Sequence, residues 1–310
     1  MRAYDLAIQN FNVAEHLLQL HELFRDLREE NAPEPLRLAV CKSLALPDES
    51  VLRHARNDQT VLIAKATAPI PHSLLVADGI NFLLRQSVVV ACTALESFFW
   101  DALRENVLTI VRARRRRADE SIRKLTLTLD DYLSIEGYTD PDDRLRQIIL
   151  KNFERGTLYD AASIERIASI LTVKDFWRQV SRTCGLPENE VKRQIGELIT
   201  RRNQVSHRAD RPDEAANPPE ERDGHGLRSI SYAWANTRVA IAKNVVAASA
   251  EIFSATLKQL ELQLAQEEEQ ELARKTIRSM SDLDIEMRNQ EMEQNAAAAS
   301  TPIKPPEEAK

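Results

Sequence analysis

At 310 residues, with 43% hydrophobic and 29% charged content, the chain holds enough apolar material for one large domain or two small ones. With 7 glycines and 5% aromatic residues it excludes a β-sandwich or barrel, which needs many turns and many β-formers, and the dominance of Leu, Ala, Arg, Glu and Gln points to an all-α fold. The net charge of −6 does not mark a nucleic-acid binder, although a local basic site can coexist with an acidic chain.

Residues 4–30 read as one amphipathic helix, with Leu6, Phe11, Val13, Leu17, Leu20, Phe24 and Leu27 recurring at roughly helical intervals. It carries no signal-peptide core. His16 and His21 lie near its apolar stripe and read as structural. "NAPEP" (31–35) stops the helix, because two prolines so close cannot sit inside one. Residues 36–72 read as short helical pieces ending at "APIPH", so 1–72 is expected to be a helical extension packed on the main bundle.

A long helix is expected over 75–116, where Ile80, Leu84, Val88, Ala91, Leu95, Phe98 and Ala102 keep one apolar stripe. Within it, Cys92 reads as a buried free thiol. The apolar run between Arg85 and Glu96 is too short to span a bilayer. The helix ends in "RARRRR", Arg112, Arg114, Arg115, Arg116 and Arg117, where cations suit the negative helix terminus. Their functional reading is a track for RNA phosphates; the plainer one is a solvated helix end. "TLTLDDYLS" is ambiguous between strand and helix, and helices follow near 141–155, 160–171 and 173–184. Gly185 stops the last of these and Pro187 opens the next.

That next helix buries Val191, Ile195, Leu198 and Ile199 and then runs into "RRNQVSHR", residues 201–208. The polar, Pro-rich stretch 209–226 follows, where His225 is spaced with no other ligand. A second long helix is expected from about Ser229, burying Ala233, Val239, Val246, Ile252, Phe253, Leu257 and Leu260. Trp100, Trp177 and Trp234 read as core anchors. From about Gln266 the composition turns charged and Ala-rich. The main helical domain is therefore taken as 73–264, and 265–310 as a charged helix fraying into a disordered tail.

The 3 cysteines, Cys41, Cys92 and Cys184, are odd in number and widely spaced, with no CxxC pair, so neither a disulfide framework nor a zinc site is indicated. No metal and no other cofactor is expected, and the chain reads as cytoplasmic with no membrane partner.

The cluster of Arg202, Asn203 and His207 at the end of an amphipathic helix carries the chemistry. Histidine can act as acid or base near neutral pH, and the arginine fork suits phosphate oxygens. Asn203 lies one turn before His207 and could orient the imidazole by a hydrogen bond. RNA can be cut without a metal when its own 2′-OH attacks the adjacent phosphate, which needs a base, an acid and cationic donors. On a regular helix, however, Arg202 and His207 point about 140° apart. They converge only if the helix distorts or ends near Ser206, or if a second chain completes the site. The plain alternative for His207 is a helix-end cation.

The "RNQVSH" segment resembles the HEPN superfamily of helical ribonucleases, whose mark is an arginine, a polar residue and then a histidine. "ACTALESFFWDAL" (91–103) is similar to the early long helix of the RiboL-PSP-HEPN subgroup, and the resemblance covers about residues 75–262. It implies a bundle with two long helices, and an RNA substrate cut through Arg202, Asn203 and His207. It also implies a homodimer with two motifs facing one cleft. Glu96, Arg201 and Arg208 would be supporting residues; Glu96 also reads as the ion-pair partner of a core-edge arginine. Toxin or antiphage-defence roles follow, with an antitoxin or defence-complex protein as partner. The alternative is a catalytically silent helical module for dimerisation or nucleotide binding.

Overall fold

A computed structural model describes residues 2–25, 27–28, 34–55, 61–64, 77–114, 126–153, 160–216 and 218–299. In chain order the elements are α1 (Arg2–Arg25), β1 (Leu27–Arg28), α2 (Glu34–Ser43), β2 (Val51–Ala55), β3 (Val61–Ala64), a 3-10 turn (Ala77–Ile80), α3 (Asn81–Arg114), α4 (Leu129–Glu136), α5 (Pro141–Phe153), α6 (Ala161–Ile170), α7 (Phe176–Cys184), α8 (Glu188–Arg208) and α9 (Tyr232–Ala299). They fall into two compact units, Met1–Thr256 and Leu257–Lys310. The fold is all-α, apart from a small antiparallel sheet in the N-terminal region.

That sheet corrects the expectation of a wholly helical extension. Residues 34–43 are helical, but β1, β2 and β3 pair in that order, with Leu27 opposite Ala55 and Val51 opposite Ala64. The segments "VLRHA" and "VLIA" are short and carry β-branched residues, which suits strand pairing better than a helix. The stop expected at "APIPH" and the end of the first helix at Glu30 lie outside the described residues; α1 itself closes at Arg25.

Helix α1 buries Phe11 as expected, but the rest of its inner face is not the one its other large residues suggested. Ala3, Ala7, Phe11, Ala14, Leu18 and His21 are buried, whereas Leu6, Val13 and Leu20 are exposed. Small side chains let α1 lie close along α3. The two run antiparallel, pinned at one end by the Ala3 N–H donating to Glu105 Oε1 at 3.0 Å and at the other by His21 Nε2 against Asn81 Oδ1 at 3.3 Å. His21 is thus structural, and burial holds its imidazole below the usual histidine range. His16 is exposed.

The α3 stripe predicted from Ile80 to Ala102 is buried throughout. It centres on packed rings: Phe98, Phe99, Phe176 and Phe253 sit 5.1–6.0 Å apart between centroids, with Trp177 edge-on to Phe176 at 5.0 Å. Such rings add to the area they bury through their edge-to-face contacts. Taken whole, the stretch Asp78–Arg114 is long and apolar enough to cross a membrane, which the shorter run from Arg85 to Glu96 did not indicate. Here 61% of that window is buried inside the protein, as in a core helix. On α9, Val239, Val246 and Phe253 are buried as expected, Ile252 is half-buried and Ala233 is exposed.

Local signals settle the remaining elements. The ambiguous "TLTLDDYLS" is helical because Thr128 and Asp131 form a reciprocal capping box at the start of α4. Gly185 ends α7 in the left-handed region at φ 66°, where a side chain is costly, and Pro187 stands at the N-cap of α8. The second unit begins inside the helical stretch and is charged from Glu267 onward; residues 300–310, the expected end of the tail, lie outside the described residues.

Candidate active site

Helix α8 buries Val191, Ile195, Leu198 and Ile199 against the bundle, and the stripe continues into Arg202. Arg202 reaches α3, where one guanidinium nitrogen, Nη2, pairs with Glu96 Oε1 and the other, Nη1, donates to Asn203 Oδ1 at 3.0 Å. The two charged side chains are 16% and 21% exposed, so the pair sits on the rim of the core rather than in it. Cys92 stands one turn before Glu96 on α3 and is fully buried. Burial, and then the Glu96 carboxylate, push its thiol up to about 11, so it remains protonated and is no nucleophile. Burial also raises the Glu96 carboxyl above its ordinary value, against the opposing pull of Arg202.

His207 lies in the last turn of α8 and is exposed; among the described residues its imidazole has no hydrogen-bond partner. The orienting bond expected from Asn203 is not made in the single chain, where the Asn203 carbonyl oxygen accepts from Arg202 instead. Nor does the helix break near Ser206. It runs to Arg208 and closes at Ala209, which adopts a left-handed φ of 50° and donates its N–H to Gln204 O. With the helix unbroken, Arg202 and His207 stay on separate faces, about 140° apart. Arg208, in the same turn as His207, is exposed and also has no side-chain partner among the described residues.

Arg201 departs from the supporting role expected of it. Its side chain is 13% exposed, and Nη2 donates to Asp210 Oδ2 at 2.9 Å and to the Arg228 and Ser229 carbonyls at 3.0 Å. Asp210 in turn receives Arg85 Nε from α3 at 2.6 Å, and Arg85 Nη2 donates to Asp223 Oδ2, also at 2.6 Å. Burial alone would raise the Asp223 carboxyl, yet the hydrogen bonds from Arg85 and the Leu227 and His225 N–H groups hold it below the usual range. Arg201 is therefore a clamp between α8 and the loop 209–231, because the buried Asp210 needs cations around it. This network went unread in the sequence. Its one local trace is Asp210, directly after the helix end, where a carboxylate is disfavoured unless paired.

The proposed phosphate track divides. Arg112 pairs with Asp142 across an exposed surface, Arg114 is half-buried, and Arg115, Arg116 and Arg117 lie outside the described residues. Of the three tryptophans only Trp177 is a buried anchor, with its indole N–H donating to Ala161 O at 3.1 Å. Trp100 is half-buried. Trp234 is half-exposed beneath the guanidinium groups of Arg238 and Arg201, at 5.2 and 5.9 Å from its centroid. His225 is exposed in its loop.

The arrangement offers a half-buried, paired guanidinium at a rim, an unencumbered imidazole and one further arginine without a side-chain partner among the described residues, all at the end of one helix. A family model described as RiboL-PSP-HEPN matches residues 62–247, more than half of the chain, a span that takes in Glu96, Arg202, Asn203 and His207. No curated protein and no solved structure matches the chain.

Proposed function

The chain belongs to the RiboL-PSP-HEPN family, whose HEPN domains are often ribonucleases, and from that premise we propose that it is a metal-independent endoribonuclease of toxin or antiphage-defence type. The observation that carries the reading is the complete Arg202, Asn203 and His207 set at the end of an unbroken helix, with the imidazole left free. One chain supplies one such imidazole, whereas the reaction needs a base and an acid. A homodimer that brings two α8 ends to one cleft meets that need, and makes the 140° separation unimportant.

In that cleft one His207 takes the proton from the 2′-OH as its oxygen bonds to phosphorus. The 5′-oxygen leaves as the P–O5′ bond breaks and receives a proton from the second His207. The products are a 2′,3′-cyclic phosphate and a 5′-hydroxyl. Arg202 stabilises the dianionic phosphorane through its fork, and Arg208 holds the neighbouring backbone. Asn203 positions Arg202. An antitoxin or defence-complex protein would restrain the activity.

The second reading, a silent module that dimerises or binds nucleotides, draws on the engagement of Arg202 by Glu96 and Asn203 in the single chain. Incubating the purified protein with total RNA in EDTA, with analysis of product ends, separates the two. Cyclic phosphate ends are expected; intact RNA, or cleavage only with added divalent metal, would overturn the proposal.

A further inference from the structure

On the face of α8 roughly opposite the one that carries Arg202, and nearer to that of His207, lies a cavity of about 730 Å³, walled by α8, by residues 220–231 and by Trp234 at the start of α9. That volume falls in the range of small-molecule sites, roughly 300–1,000 Å³. Gln204 lines it and stands three residues before His207, so the cavity adjoins the helix turn that bears the imidazole.

The arginines lining the cavity are already neutralised. Arg193 is paired with Glu190 at 2.6 Å, Arg201 with Asp210 at 2.9 Å and Arg228 with Glu220 at 2.8 Å. A phosphate would find no free cation there. What remains open among the described residues is of a different kind: the Glu221 carboxylate, the Gln204 amide and the Thr200 hydroxyl, none of whose side chains has a partner. Beside them stands the tier of the Trp234 indole with the Arg238 and Arg201 guanidinium planes. Flat π and guanidinium surfaces are where unpaired RNA bases stack, and their Watson–Crick edges are read by neighbouring polar groups.

Resting on the ribonuclease reading above, we propose that this cavity is a guanine subsite that holds one unpaired base of the RNA next to the scissile phosphate. The free carboxylate selects the base. Guanine presents two adjacent donors, N1–H and N2–H, to a single carboxylate. Adenine and cytosine present one amino group each, and the lone N3–H of uracil is flanked by carbonyl oxygens that a carboxylate repels. Gln204 and Thr200 can donate to the guanine O6 and N7 acceptors. Trp234 and its guanidinium neighbours supply the stacking plane, which any base can use, so selectivity resides in Glu221.

The test is calorimetric titration of the full chain with each of the four nucleoside 5′-monophosphates, repeated for Glu221→Gln and Trp234→Ala, alongside mapping of cut sites in RNA. Guanosine monophosphate is expected to bind about tenfold more tightly than the other three, as a charge-assisted pair of hydrogen bonds allows. Glu221→Gln, at an exposed position, should erase that preference while weaker stacking persists, and Trp234→Ala should weaken all four. A guanine preference that is absent, or that survives Glu221→Gln, overturns the subsite. Cleavage without guanine at the cut sites counts against the subsite and leaves the nuclease standing. Selective binding of the guanine nucleotide with RNA left intact does the reverse.

Discussion

His207 is exposed and unpartnered among the described residues, so removing its imidazole should cost the fold little. His207→Ala is expected to lower RNA cleavage by about 10²–10⁴-fold, with an unchanged thermal melt. Arg202→Lys should fail to restore activity where arginine is lost, since a point charge neither bridges Glu96 and Asn203 as the two guanidinium nitrogens do nor presents a fork to phosphate. A His207→Ala protein that still cuts RNA like the wild type would remove the residue from the site. Glu96 gives a prediction of opposite character. Its folded carboxyl lies above the ordinary 4.5, chiefly through burial, so between 4.5 and that raised value the folded state holds more proton than the unfolded one. Its contribution to stability is therefore fully present below 4.5 and is lost as pH rises through the folded value. Glu96→Gln should flatten that part of the stability–pH curve; melting temperatures across pH 4–7 that fall equally in both proteins would contradict it. That Arg202, Asn203 and His207 lie together at the end of one helix was legible, because the apolar stripe upstream fixes that helix. The rerouting of Asn203 to Arg202 was not, since residues adjacent in sequence seldom face each other on a helix and only the position of Glu96 fixes the arginine's course.

The loop after α8 is held by the set of Arg85, Arg201, Asp210 and Asp223 rather than by apolar packing. Asp210 is 1% exposed, and its loss would leave Arg85, itself 7% exposed, with Asp223 as its one carboxylate partner among the described residues, beside the Arg228 carbonyl. Asp210→Ala is expected to destabilise the protein by about 3–5 kcal/mol, the range for orphaning a buried charge, read by denaturant unfolding. A change under about 1 kcal/mol would show that solvent reaches the cluster. Helices with a sustained large-residue stripe, α3 and α8, were readable from periodicity alone. Helix α1 was misread because it has apolar residues on two faces, and the smaller set is the one α3 covers. The pairing of β2 with β3 is not legible for a related reason: segments of four or five residues carry too little period to tell strand from helix.

At the scale of the whole molecule, the proposed nuclease needs two chains. Light scattering at micromolar concentration should give a dimer. Mixing an Arg202→Ala chain with a His207→Ala chain should restore part of the activity if the cleft takes groups from both, and a monomer that cuts RNA would end the composite-site idea. Removal of residues from Gln266 onward should leave the melting temperature within a few degrees of the full chain, because the first compact unit closes at Thr256. A large fall on truncation would show that the charged helix contributes to the core. The all-α class was evident from composition. The boundary at Thr256 rather than near 264 was not, since the helix itself runs on without a stop signal in the sequence.

The contact between Glu96 and Arg202 has a consequence for how RNA would be received. If RNA is the substrate, as proposed, the Glu96 carboxylate stands where a phosphate oxygen would pair with Arg202, and so acts as a mimic of the substrate anion. An incoming phosphodiester, with a single negative charge, can do little more than trade places with that mimic and gains little by doing so. The phosphorane that forms during cleavage carries two charges and outbids it. On the proposed reading, the resting ion pair withholds Arg202 from intact RNA in passing contact and yields it as the bond begins to break.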